Sequence, residues 1–361
     1  MMKRGGAVLI TNIPSPYRVL QFDEIARTLG KEFTVIYYRS KVNYREWNIS
    51  EIHHQHLFLK RNFFSKRNIH FQIIPALKRI DPDVVISTGF TITTFLSYLF
   101  CKLYKKKFII LTDSWMYSVN QFGFFRKKIR SFLIPKADAF VCIGEKGKKF
   151  LINFGAQTEA IFKAPLAIDN VHFFKFFKPY EEKEFDIIFS GQFIERKMPF
   201  FVIDVIKEIK RKRTQFKLLL IGSGPLKDKI LSQLEDANIE YYYPGFIQQV
   251  ELPKYYSNAK VLLFPTMDDP WGLVANEACA VGTPVITCEN AGVANDLVLH
   301  NFNGYVLPLE VNIWVQYLEM LLSNMELYKK FAHNSLDRVQ SYSISNASVG
   351  IVNSVNSLLD K

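Results

Sequence analysis

The chain has 361 residues, 48% of them hydrophobic, with no low-complexity tract and no repeat of solenoid period, so it is globular and too long for one ordinary core; two domains are expected. Its net charge of +12 is uneven: residues 1–180 hold 29 Lys/Arg against 12 Asp/Glu and residues 181–361 hold 17 against 22, giving halves of +17 and −5. Four cysteines (Cys101, Cys142, Cys279, Cys288) are scattered through apolar stretches without metal-ligand spacing, which argues against a zinc site or a disulfide scaffold and predicts buried free thiols in a reducing cytosol.

Lys3-Arg4 leads straight into a short apolar strand, with no signal-peptide core, and the longest apolar patch, 92–101, is too short to span a bilayer. A soluble cytoplasmic protein is expected. Ala7-Val-Leu-Ile-Thr11 predicts the first strand, followed by a helix over 21–29 and a strand over Phe33–Tyr37. Further strands are predicted at Asp83–Ser87, Phe108–Thr112 and Ala139–Ile143. The charged stretch Lys178-Pro-Tyr-Glu-Glu-Lys-Glu184 reads as a linker. Beyond it the strand series restarts at Asp186–Ser190, Lys217–Ile221, Glu240–Tyr243, Ala259–Phe264 and Thr283–Thr287. Short apolar strands alternating with helical stretches make an α/β protein of two Rossmann-like domains. The expected division is 1–175 and 176–340, with a C-terminal helix of about 341–361 packing back on the first domain.

The most informative segment is Asp269-Pro-Trp-Gly-Leu-Val-Ala-Asn-Glu277, running into Ala-Cys-Ala-Val-Gly-Thr-Pro-Val-Ile286. Two carboxylates lie eight residues apart around a Pro/Gly turn that opens a helix, at the carboxyl end of a predicted buried strand. Open α/β sheets bind ligands there. The first-turn N–H groups of such a helix suit an anion, and the carboxylates can accept hydrogen bonds from vicinal sugar hydroxyls. Phosphate donors beside hydroxyl acceptors suit a sugar nucleotide.

This segment resembles the signature of retaining glycosyltransferases of the GT-B fold, glycosyltransferase family 4 (group 1): two Glu separated by seven residues around Phe-Gly-Leu, then Glu-Ala-x-Ala-x-Gly-x-Pro-Val-Ile. Asp269 stands for the first Glu and Trp271 for the aromatic, while Glu277–Ile286 fits closely. The resemblance covers most of the C-terminal half and implies two Rossmann-like domains facing a cleft. It also implies that a hexose-type sugar passes from a UDP- or GDP-linked donor, without a metal, to a glycan or polyprenyl-linked acceptor in polysaccharide or lipopolysaccharide assembly.

Residue by residue, the resemblance places Lys197 on the donor diphosphate, with Gly191 and Gln192 preceding it; Gln192 replaces the family's arginine. Gly222 and Gly224 of Gly-Ser-Gly-Pro, and Phe246 after Tyr-Pro-Gly, fall on further donor-site turns. Gly272, Leu273 and Val274 supply the helix N-terminus, Glu277 the ribose contact and Asp269 the sugar contact. In the first half Asp113 or Ser114 falls where relatives place a histidine, and Arg18, in Pro-Tyr-Arg, can meet phosphate or an anionic acceptor. A GT-B nucleotide-sugar epimerase and a non-catalytic partner subunit remain alternatives.

Three basic-aromatic clusters mark the first half: Lys60–Arg67, Lys102–Phe108 and Gln121–Phe132. Cations interleaved with Phe suit the headgroup zone of an anionic membrane, so peripheral attachment to the inner face of the cell membrane is expected. No nucleic-acid recognition motif accompanies the charge, and nucleic acid is not an expected partner.

Overall fold

The computed structural model describes residues 6–40, 47–48, 51–60, 69–119, 123–213 and 215–359. They form two compact units: 1–166 together with 344–361, and 167–343.

In the first unit the strands are β1 (Ala7–Thr11), β2 (Phe33–Tyr37), β3 (Gln55–Phe58), β4 (Val84–Thr88), β5 (Lys107–Thr112), β6 (Ala139–Cys142) and β7 (Ile161–Lys163). They build one parallel sheet in the order β3-β2-β1-β4-β5-β6-β7. Its interior strands β1, β2, β4, β5 and β6 are buried on both faces, which is why they read as continuous apolar runs. Val8, Ile10, Val85 and Ile110 join one core, and Ala7, Leu9, Val84 and Ile109 the opposite one. The helices of its N-terminal segment are α1 (Pro16–Leu29), α2 (Ile73–Ile80), α3 (Ile92–Leu103), α4 (Phe124–Leu133) and α5 (Glu145–Asn153).

The second unit holds β8 (Phe185–Ser190), β9 (Lys217–Ile221), β10 (Glu240–Gly245), β11 (Ala259–Phe264), β12 (Val285–Cys288) and β13 (Gly304–Leu307). These form a parallel sheet in the order β10-β9-β8-β11-β12-β13. Its helices are α6 (Asn170–Phe174), α7 (Pro199–Lys210), α8 (Lys227–Asp236), α9 (Leu252–Tyr256), α10 (Leu273–Cys279), α11 (Val311–Ser323) and α12 (Met325–Gln340). The last helix, α13 (Ile344–Leu359), returns to the first unit, where Ile351, Val352 and Val355 enter its core. All four cysteines are buried free thiols, and among the described residues no helix is long and apolar enough to cross a membrane.

Three features differ from the sequence expectation. The division falls at 166/167 rather than 175/176, because Asn170 donates to Val339 O (2.9 Å) and the His172 ring reaches Val250 O (2.8 Å) within the second unit. The stretch read as a solvated linker is bound into that unit: Tyr180 donates to Leu322 O (2.9 Å) and buried Lys183 to Ser257 O (2.9 Å) and Thr283 Oγ1 (3.2 Å). Strands β3, β7 and β13 were not anticipated. The β3 edge is mostly exposed and owes its place to polar groups. Asp23 Oδ1 accepts from the His53 and His54 amides (3.1 and 2.9 Å) and from His54 Nδ1 (2.6 Å), while the Tyr37 hydroxyl meets His54 Nε2 at 2.9 Å.

The return of α13 depends on a missing side chain. A Cβ at Gly350 would lie 1.9 Å from Lys163 O and 3.2 Å from Ala164 Cβ. Gly350→Ala therefore forces the helix off the sheet edge, and urea unfolding is expected to show a loss of about 1–3 kcal/mol, where an open helical site would gain from the same change.

Candidate functional site

Each sheet reverses its winding direction once. In the second unit the reversal lies between β8 and β11, and doubly wound sheets open a crevice beyond the strand ends at such a point. The loop leaving β8 carries Gly191, Gln192 and Lys197; the loop leaving β11 carries Asp269 to Val274, and Glu277 follows in α10. Residues far apart in sequence are thus brought to one place by topology alone.

The two loops are stitched together. Thr266 Oγ1 donates to Arg196 O (3.0 Å), the Met267 amide donates to the same carbonyl (2.9 Å), and the Arg196 guanidinium donates to Asp268 O. Arg196 is thereby committed to backbone and does not stand in for the arginine that Gln192 replaces; Gln192 is half-buried on the same loop. Lys197 Nζ forms an ion pair with Asp269 Oδ2 and sits 5.4 Å from the Phe264 ring centroid. The Asp269 amide donates to Asn290 O (3.1 Å), and Asp269 O accepts from Gly292 N (2.8 Å), so the carboxylate stands on a backbone fixed from both sides.

Glu277 is buried, and Tyr256 donates its hydroxyl to Glu277 Oε2 at 2.7 Å. Burial pushes the Glu277 carboxyl up to about 7, with the Tyr256 bond opposing. Tyr256 was not anticipated: it lies in Lys-Tyr-Tyr-Ser ahead of β11, where nothing in the sequence distinguishes it from a core aromatic.

Several expected donor contacts are corrected. The Trp271 indole is only 1% exposed; its Nε1 donates to Asn276 Oδ1 (2.8 Å) and its ring packs on Tyr342, so what Trp271 can offer a ligand is backbone. The Gly191 amide donates to Ile221 O and the Gly222 amide to Gly245 O (both 3.0 Å), which leaves neither for a phosphate. Gly222 and Gly224 serve close approach instead: a Cβ would fall 1.8 Å from Gly191 O at the first and 2.6 Å from Phe193 O at the second. Gly272 has φ 106° and leads into α10, where half-buried Leu273 and Val274 hold first-turn amides that lack intrahelical acceptors. Phe246 is half-buried directly after β10.

Asp113 belongs to the first unit, in the loop after β5. That sheet reverses between β1 and β4, and a cavity of about 430 Å³ lies at the strand ends there. Arg18, Tyr38, Trp47, Asp113 and Arg126 are among its lining residues. Burial lowers the Arg18 guanidinium from its ordinary value, with Tyr17 and exposed Asp113 opposing.

Residues 171–338 match the family described as glycosyl transferases group 1. An uncharacterised glycosyltransferase of Methanocaldococcus jannaschii is 27% identical over 177 residues, 48% of this chain and 45% of the relative. The capsular polysaccharide biosynthesis glycosyltransferase CapM of Staphylococcus aureus is 26% identical over 206 residues, 55% of this chain and 52% of the relative. The chain therefore spans about half the length of these relatives. The crystal structure of Anabaena HepE with UDP and glucose aligns with a TM-score of 0.76 at 13% identity, covering 98% of this chain and 100% of that one. Two parallel-sheet units and this likeness give the fold as GT-B, with its two Rossmann-like domains.

The buried ionisable groups of the second unit set a pH dependence of stability. Between about pH 4.5 and 7 folded Glu277 holds a proton that the unfolded chain has released, so stability falls as pH rises. Burial, with Lys178 adding repulsion, lowers Lys183 to about 7; between there and 10.5 the unfolded chain holds the extra proton, so stability rises with pH. A stability minimum near neutrality is expected, each limb worth at most a few kcal/mol. Thermal melts from pH 5 to 10 should lose the acid limb in Glu277→Gln and the alkaline limb in Lys183→Met; unchanged limbs would contradict the assignment.

Proposed function

We propose that the chain is a glycosyltransferase whose second unit binds a nucleotide-sugar donor and whose first unit binds the acceptor. The observation that carries the proposal is the Lys197–Asp269 pair beside buried Glu277 at the β8/β11 crevice, all within the segment matching glycosyl transferases group 1. One positioned ammonium, two carboxylates and the first-turn amides of α10 offer partners to a diphosphate and to sugar hydroxyls alike.

In this reading Lys197 leaves Asp269 for the donor diphosphate, and Asp269 is released to accept hydrogen bonds from the transferred sugar. The Leu273 and Val274 amides assist at the phosphates, and Glu277, ionised above about pH 7, accepts from the ribose hydroxyls. Transfer breaks the bond between the anomeric carbon and the diphosphate oxygen, which leaves with the electron pair. The acceptor oxygen bonds to that carbon on the same face and its proton passes to the departing phosphate, so configuration is retained. Stabilising the leaving charge is the main electrostatic demand, and Lys197 meets it most strongly as the bond breaks.

Capsular polysaccharide biosynthesis, the role named for the Staphylococcus relative, suits a surface-glycan acceptor on a lipid carrier. The first unit has a surface to match. Leu103, Phe124 and Phe125 are 75%, 65% and 77% exposed, with Lys128 Nζ 4.5 Å from the Phe124 ring centroid and Lys136 Nζ 4.6 Å from that of Phe132. Two parts of the expected clusters turn inward. Phe108 is buried in β5, and Arg130 is buried against Phe154, 4.2 Å from its centroid. Of the cluster Lys60–Arg67, residues 61–67 lie outside the described residues.

Calorimetric titration with UDP and GDP, paired with turnover on a mixed lipid-linked acceptor extract, tests the donor site. Glu277→Ala is expected to weaken nucleotide binding by about 1.5–3 kcal/mol, and Lys197→Ala to depress turnover more than binding. A wild-type chain that binds neither nucleotide would remove the reading. For the membrane surface, liposome co-sedimentation at two ionic strengths should show binding to anionic vesicles that weakens with salt and with Phe125→Ser. Equal partitioning to neutral vesicles, or none to either, would leave a soluble acceptor as the better account.

A further inference from the structure

The cavity of the first unit has a charge that a neutral sugar would not require. Among the described residues two guanidinium groups, Arg18 and Arg126, line it against one carboxylate, Asp113. Its remaining wall mixes aromatic rings, Tyr17 standing edge-on to Trp47 at 6.4 Å, with polar side chains such as Asn12, Thr91 and Ser114.

Arg18 is held in place from behind. Its Nη1 donates to Gln21 Oε1 at 2.6 Å, and buried Gln21 donates its own Nε2 to Ala347 O in α13 at 2.9 Å. A chain of two hydrogen bonds thus fixes one corner of a planar group that carries five N–H donors. A surface arginine kept only for solubility needs no such support; a guanidinium pre-set for bidentate recognition does. The fork lies near the start of α1, where cap residue Ser15 lines the cavity and makes no side-chain cap bond, and the helix field there favours negative charge. Tyr38 packs on the same wall, with its buried hydroxyl set among the side chains of Thr91, Ser87, Thr94 and Thr93. Burial raises that phenol and keeps it a donor.

We propose that this cavity takes an acceptor bearing an anionic group, a carboxylate or a phosphate, which Arg18 binds in its fork with Arg126 at the rim. The inference rests on the reading of the first unit as the acceptor side and adds the acceptor's chemical class. The anion has two possible sources: an acidic sugar such as a uronate, or a phosphate such as that of a lipid carrier.

Ligand-observed NMR titrations of the full chain, with saturating UDP present, separate these cases using methyl glucuronoside, methyl glucoside and methyl phosphate. Binding of the glucuronoside or of methyl phosphate is expected to exceed that of the glucoside by roughly tenfold or more, and to fall by a similar factor in Arg18→Gln. Preference for the glucuronoside identifies the acidic sugar as the source; preference for methyl phosphate identifies the phosphate. Arg126→Gln, at an exposed position, should weaken the same probe without touching the fold. Binding of the glucoside equal to that of both acidic probes, indifference to both variants, or binding of the acidic probes only when UDP is left out would overturn the proposal. Failure of UDP itself to bind would fault the donor reading while leaving the Arg18 result legible.

Discussion

Lys197 and Asp269 are the interaction around which the second unit is arranged. Each is largely withdrawn from water, and neither would be tolerable there without the other, because removing one partner leaves a desolvated charge. What holds them is backbone: the β8 loop is bonded to the β11 loop through the carbonyl of Arg196, and the β11 loop to the Asn290–Gly292 turn. Such a pair contributes little net stability, since desolvation offsets the attraction. Its consequence is a site in which each charge is matched; on the proposed reading, a ligand with both phosphate and hydroxyl groups divides the pair.

Glu277 and Lys183 extend the same logic into the core. Both are buried with only neutral hydrogen-bond partners, Tyr256 for the acid and Ser257 O and Thr283 Oγ1 for the amine. In each case burial is the dominant cause of a shift toward neutrality. The polar partners keep the groups satisfied when uncharged, so the fold carries them without unpaired atoms. A carboxyl that changes state near pH 7 costs little to ionise at the moment a ligand arrives, whereas a fully ionised one would burden the empty domain.

Much of this was legible before the structure. Interior strands such as β1, β2 and β11 have continuous apolar runs because parallel sheets are covered on both faces, and their limits agree closely with the pattern. Edge strands escaped: β3 is largely exposed, and β13 begins on a glycine that read as part of a turn. The acids of the 269–277 segment were singled out by spacing and strand context and Lys197 by the family resemblance, and the structure pairs Lys197 with Asp269. Tyr256 and Gln21 were not, since each acts through a hydrogen bond to a distant residue, and no local pattern encodes a partner 21 or 326 positions away. The charged stretch near Lys183 misled for a related reason: composition reports polarity, and only tertiary structure shows where the ammonium is satisfied.

Two sheets of the same handed design reverse at equivalent places and carry opposite chemistry there. At the β8/β11 reversal a single lysine is neutralised by Asp269 with a second acid nearby; at the β1/β4 reversal two arginines outnumber one carboxylate. The overall split of +17 and −5 follows the same division. Net charge of that kind has little influence on which fold forms, but it draws anions toward the first unit from a distance set by the screening length. On the proposed reading, an anionic donor is captured in the second unit by local geometry, against the average charge of its half. Fixed loops around Lys197 supply that geometry, and they explain why the stitching is denser there than a loop of ordinary surface residues would need.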